Sequence, residues 1–137
     1  MNLIAYMSFN GNCEEAMNFY KSLLGGEITM LMRFGEGPGD MPVSDAYKDK
    51  IMHAQLEFEG NILYLSDTWE GQKVNTDGNI SLNINFDSEK GLEDVYNTLK
   101  ESGQVTMALE DQFWGAKYGS VIDQFGISWS LNYSKSE

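Results

Sequence analysis

Basic residues, cysteine, histidine and proline are all scarce in this chain, and each scarcity removes a class of function. Nine lysines and arginines stand against 21 aspartates and glutamates, a formal charge of −12. Such a surface repels phosphate backbones and anionic headgroups, and no Lys/Arg cluster interrupts it, so neither nucleic acid nor membrane is an expected partner. The one cysteine, Cys13, rules out an internal disulfide and a thiolate metal cluster, and it fits a reducing compartment, here the cytoplasm. The one histidine, His53, leaves little material for an imidazole-based metal site. No apolar run approaches the ~18 residues of a membrane span, and no basic start followed by an apolar stretch marks a signal peptide. Both prolines fall in one aperiodic stretch, "GEGPGDMPVSDAYKDK" at 35–50, which also holds three glycines. A structureless stretch that long in a compact domain is often a lid.

What the chain does have is a pattern that occurs twice. A strand-like "LIAYMSF" (3–9) is followed by "NGNCEEAMNFYKSLLGG". There Asn12 and Glu15 have capping-box spacing, Ala16, Phe19, Tyr20 and Leu23 form an apolar helix face, and Gly25-Gly26 ends the helix. Three strand-like runs follow at 27–34, 51–58 and 62–67, the last two joined by a tight "EGN" turn. The second half repeats this order: strand 79–86, a helix starting after Ser88, then strands 104–110, 118–123 and 127–133. Asn12 and Ser88, Tyr20 and Tyr96, and Leu23 and Leu99 share one offset of 76 residues. Two equivalent βαβββ modules, 1–70 and 76–134, are therefore expected within one domain. The expected fold class is α+β, with two curved, mixed half-sheets around a shared cavity and one helix per module on the outer face.

The paired βαβββ order, with "FNGNCEEAMNFYKSLLGGEI" after the first strand and "YGSVIDQFGISWSL" near the end, resembles the vicinal oxygen chelate superfamily. That superfamily contains glyoxalase I, extradiol dioxygenases and the bleomycin and fosfomycin resistance proteins. The phrases "NGNCEEAMNFY", "IMHAQL", "LSD" and "DQFWGAKYG" are similar to its PhnB-like branch over essentially the whole chain. Members of that branch also carry the description demethylubiquinone methyltransferase, but this chain has no glycine-rich strand-to-helix loop with which to bind a methyl donor. Metal-dependent members of the superfamily hold a divalent ion with one residue from each of four strands, typically His or Gln and Glu. The resemblance puts those positions on Ala5, Tyr64, Asn79 and Ser130, of which Asn79 is at best a weak oxygen donor. A remaining metal site would need His53 with carboxylates such as Asp67. Neither metal nor cofactor is therefore expected.

Alternation supplies the remaining candidates. Asn79, Ser81, Asn83 and Asn85 share one strand face, as do Ser128, Ser130 and Asn132, so neutral hydrogen-bonding groups stand where metal ligands would be. His53 shares a face with Gln55 and Glu57 and is either a hydrogen-bonded structural residue or, since histidine changes charge near neutral pH, the candidate acid, base or donor of a pocket. Arg33 either grips an anionic ligand group or pairs with one of the many carboxylates. Cys13, beside Glu14 and Glu15, reads as an inert thiol. In "EDQFWGAKYG" (110–119), Phe113, Trp114 and Tyr118 sit where the chain reverses, and they wall the mouth of a cavity, pack against a dimer partner or belong to the core. The expected ligand-binding set is thus Arg33, His53, Tyr64, Asn79, Ser81, Trp114, Tyr118 and Ser130. The expected function is metal-independent binding of a small molecule by a homodimer. The alternative implied by the resemblance is a metal-dependent lyase, isomerase or thiol transferase of the glyoxalase or fosfomycin-resistance type.

Overall fold

The apolar residues of β1 (Ala5–Phe9) and β4 (Asn61–Asp67) alternate, and their buried members Met7, Phe9, Leu63 and Leu65 lie under α1 (Cys13–Leu24). The computed structural model describes residues 1–37, 43–75 and 79–135. They fall into two compact units, Met1–Val74 and Asn75–Glu137. In the first unit β1 pairs parallel with β4. Strand β4 pairs antiparallel with β3 (Ile51–Phe58), and β3 pairs antiparallel with β2 (Glu27–Arg33), giving the order β1-β4-β3-β2. The face of α1 that packs on the sheet is Cys13, Ala16, Met17 and Tyr20; Phe19 and Leu23, expected on it, lie at its half-buried margins.

The start of α1 differs from the capping box expected of Asn12 and Glu15. Asn12 makes no side-chain cap bond, and its carbonyl accepts the Ala16 N–H. The cap comes instead from 54 residues away. Asp67, buried at the end of β4, accepts the Cys13 N–H on Oδ1 and the Ile51 N–H on Oδ2, each at 2.9 Å. The carboxylate thus ties the helix start to the first residue of β3, at a terminus whose dipole favours negative charge. The "EGN" turn is a two-residue hairpin loop between the paired Phe58 and Asn61, with Glu59 (φ 47°) and Gly60 (φ 80°) both left-handed.

In the second unit β5 (Leu82–Asn85), α2 (Glu89–Ser102), β6 (Gln104–Asp111), β7 (Ala116–Ile122) and β8 (Ser128–Ser134) repeat the topology in the order β5-β8-β7-β6. Here the expected cap does form, with Ser88 Oγ accepting the Gly91 N–H at 3.0 Å. Leu92, Val95, Tyr96 and Leu99 cover Val121, Trp129 and Leu131. Buried Asp123 organises the β7–β8 turn. Its Oδ1 accepts the Phe125 and Ile127 N–H groups and its Oδ2 the indole N–H of Trp129.

Strand β5 begins at Leu82 rather than at 79: its parallel register with β8 starts with Leu82 opposite Trp129, and residues 79–81 make no ladder with it. Residues 76–78, where the second module was expected to begin, lie outside the described residues. Of the 35–50 stretch expected to act as a lid, residues 38–42 also lie outside them. The rest is pinned to the chain after β4: Ser44 donates from N and Oγ to Glu70, Tyr47 Oη donates to the Thr68 carbonyl, and Phe34 packs against Tyr47 and Trp69.

Candidate functional site

Each sheet packs its own helix on one face, and the face left open by that helix carries the polar and aromatic candidates. In the first unit that open face is built by register. Met30 stands opposite Gln55, Gln55 opposite Tyr64, and Tyr64 opposite Tyr6, with His53 two residues from Gln55 on the same side of β3. The three rings meet edge to face, with centroids 5.5 Å apart for Tyr6–His53, 5.5 Å for Tyr6–Tyr64 and 4.9 Å for His53–Tyr64. Both imidazole nitrogens are engaged: Nδ1 lies 2.7 Å from Tyr6 Oη and Nε2 lies 3.1 Å from Gln55 Nε2. Tyr6 is 52% exposed, so the group lies at the surface rather than in the core.

The open face of the second unit is a neutral hydrogen-bonded ladder. Ser130 Oγ donates to Asn83 Oδ1 at 2.8 Å. The Nδ2 groups of Asn83 and Asn132 both donate to Asn85 Oδ1, at 3.0 and 3.3 Å. Tyr118, opposite Asn132 on β7, carries the ladder to the aromatics of the 112–115 turn: Trp114 packs at 6.4 Å from Tyr118 and 5.0 Å from Phe113. Tyr118 itself belongs to the strand, since β7 starts at Ala116 and the turn is shorter than expected. Trp114 is 52% and Phe113 96% exposed. These rings are surface groups of their unit.

Of the expected site residues, the structure thus groups His53 with Tyr64 on one open face, and Trp114, Tyr118 and Ser130 on the other. Three are placed elsewhere. Arg33 lies beyond a β-bulge that breaks the alternation after Met32, and its guanidinium turns to α1, pairing both nitrogens with Glu14 at 3.0 and 2.9 Å and donating to the Asp49 carbonyl. That pairing holds the Glu14 carboxyl below its ordinary value, chiefly through the hydrogen bonds and then through the charge. Asn79 and Ser81 precede β5, exposed and without a strand partner. Cys13 is fully buried; burial first, and the Asp67 charge second, push its thiol far above the range in which a thiolate forms.

Two residues of the first face were not among the candidates. Alternation puts Gln55 on His53's face without assigning it a role. The resemblance points to Ala5 rather than its neighbour Tyr6, but Ala5 pairs with the buried Leu63 and so sits on the helix side. A parallel register fixed by Tyr64 was the signal that separates them.

The metal positions can be tested on the same geometry. Ala5 offers no donor and sits on the wrong face, Asn79 stands off the sheet, and Ser130 is hydrogen-bonded to Asn83. Asp67 is spent on backbone N–H groups on the face opposite His53. Among the described residues, no three of His, Cys, Asp and Glu come together in a group that could hold an ion. The residues present do not fit a divalent centre of the superfamily's kind.

The profile of a family described as 3-demethylubiquinone-9 3-methyltransferase matches residues 1–132. Protein YjdN of Escherichia coli (strain K12) is 30% identical over all of this chain and 98% of its own length. The crystal structure of PA1353 from Pseudomonas aeruginosa, 35% identical, superposes with a TM-score of 0.86 over 99% of both chains. The PhnB protein from Bacillus cereus, to which the same methyltransferase description is attached only as a putative one, is 25% identical with a TM-score of 0.82 over 98% of this chain and 100% of that one. This chain belongs to that PhnB-like family. At the level of fold, the chain is also similar to a glyoxalase/bleomycin resistance protein/dioxygenase from Alicyclobacillus acidocaldarius (16% identical, TM-score 0.56, 98% and 93% covered). The paired βαβββ topology of this PhnB-like chain is thus that of its relatives, and no helix among its described residues is long and apolar enough to cross a membrane.

Proposed function

We propose that this PhnB-like chain binds a small, uncharged, ring-bearing molecule on the open face of its N-terminal sheet, without a metal ion. The observation that carries this is the cluster of Tyr6, His53 and Tyr64. Three rings held edge to face, on a rigid sheet and half open to solvent, offer stacking area at little entropic cost. Metal independence is supported by the mismatch at the four ligand positions. The methyl transfer named in the family's description is set aside because the chain has no glycine-rich strand-to-helix loop for a methyl donor. A neutral second ladder around Ser130 and Asn83, flanked by Trp114 and Tyr118, has the same character. The single buried cysteine and the acidic surface support a cytoplasmic, reducing setting, and the exposed Phe113 supports a homodimer.

Two measurements on protein purified without chelator test the proposal. Elemental analysis is expected to find less than stoichiometric divalent metal, and native mass spectrometry to find an organic molecule whose retention falls in Tyr64→Ala. About one tightly bound divalent ion per chain would instead favour a metal-dependent lyase, isomerase or thiol transferase.

A further inference from the structure

The polarity of the hydrogen bonds around His53 is fixed by an atom that cannot donate. Met30 Sδ, a thioether, only accepts, and the Gln55 side chain reaches it at 3.4 Å. The amide therefore turns its NH2 end, not its oxygen, toward the sulfur. The same nitrogen lies 3.1 Å from His53 Nε2, so Nε2 is an acceptor there, and the proton of the neutral ring sits on Nδ1. Nδ1–H then donates to Tyr6 Oη across 2.7 Å. With its oxygen already accepting, Tyr6 has its own O–H left over, on a side chain 52% exposed. Each bond in such a chain polarises the next, and the last donor is the strongest.

We propose that the chain Gln55–His53–Tyr6 is a one-way relay of hydrogen bonds that makes the Tyr6 hydroxyl a dedicated donor to a carbonyl oxygen of the bound molecule, so that the ligand class is a ring-bearing carbonyl compound. This rests on the ligand-binding role proposed above and adds the chemistry of its recognition. The Tyr6 hydroxyl is assigned the role of a binding group; Gln55, His53 and Met30 are positioning residues that act through it.

Because His53 is the only histidine of the chain, nitrogen-15 NMR reports its tautomer without assignment ambiguity. Recorded at a pH well above the histidine range, the spectrum is expected to show the proton on Nδ1, with the Nε2–H form appearing in Met30→Leu, where Gln55 is released to turn its oxygen inward. Binding is then followed by chemical-shift titration with acetophenone and with α-methylstyrene, which replaces the carbonyl oxygen by a methylene group of similar shape. Acetophenone is expected to bind roughly three- to tenfold more tightly, a single net hydrogen bond, and Tyr6→Phe to bring it down to the α-methylstyrene value. Equal binding of the two probes, or an Nε2–H tautomer in the unaltered protein, would overturn the relay while leaving ring binding standing. Failure of both probes to shift the Tyr6, His53 and Tyr64 signals of the folded protein would remove the binding face itself.

Discussion

A single buried carboxylate holds three elements of the N-terminal unit in place. Asp67 accepts the first N–H of α1 and the first of β3, and both donors would be stranded without it. Asp67→Asn keeps one acceptor but turns an NH2 group toward the other N–H, so it is expected to cost about 2–3 kcal/mol, read as a lower denaturant midpoint at unchanged slope. Cys13, buried beside it with its thiol pushed up, gives a second readout: a thiol reagent is expected to leave Cys13 unmodified in the native protein and to label it faster in Asp67→Asn, in step with the lost stability. Normal stability in that variant would show that the carboxylate is dispensable. Glu14 makes a smaller, pH-dependent contribution. Its carboxyl is lowered in the folded state by Arg33, so the stabilisation is present above the ordinary value of 4.5 and is lost as pH falls through the lowered one. The pair is half exposed, which limits it to roughly 0.5 kcal/mol. Denaturation of the unaltered protein and Arg33→Gln between neutral and acidic pH is expected to show a difference that shrinks below the ordinary value; a constant difference would assign the effect to packing and to the Asp49 carbonyl instead.

At the level of elements, the β3–β4 hairpin contains a residue that its conformation disfavours. Glu59 adopts a left-handed φ of 47° in a two-residue loop where Asn-Gly is the preferred pair. Glu59→Asn is therefore expected to raise stability by about 0.5–1 kcal/mol, measured by thermal or denaturant unfolding, and a decrease would mean that Glu59 makes contacts outweighing its strain. This hairpin was legible beforehand because its signal is local: "EGN" between two alternating runs fixes β3 at 51–58 to the residue. Helix α2 was equally legible, since Ser88 caps it by a bond spanning three residues. What escaped was non-local. Asp67 caps α1 from another strand, a bulge after Met32 swings Arg33 to the helix side, and β5 takes up its register with β8 only at Leu82, opposite Trp129. The site divides in the same way. Alternation within β3 put His53 and Gln55 on one face, but only the register between β1 and β4 selects Tyr6 over Ala5.

On the scale of the whole molecule, association must overcome charge. Each chain carries −12, so two copies repel, and the repulsion extends over roughly 30 Å at 0.01 M salt but about 8 Å at 0.15 M. Opposing it are apolar side chains that a single chain leaves in water, with Phe113 96% and Ile80 78% exposed. Full burial of one such side chain is worth roughly 1.5–3 kcal/mol, and a symmetric contact would bury it twice. The proposed homodimer is therefore expected to depend on salt. Light scattering at micromolar concentration should give twice the 15.4 kDa chain mass near physiological ionic strength and a lower apparent mass at low salt. Phe113→Ser should shift the equilibrium to single chains without a loss of secondary structure, because the ring lies outside the core of its own unit. A mass of one chain at every salt concentration would rule out the dimer and leave the exposed aromatics of the 112–115 turn to a ligand or to another protein.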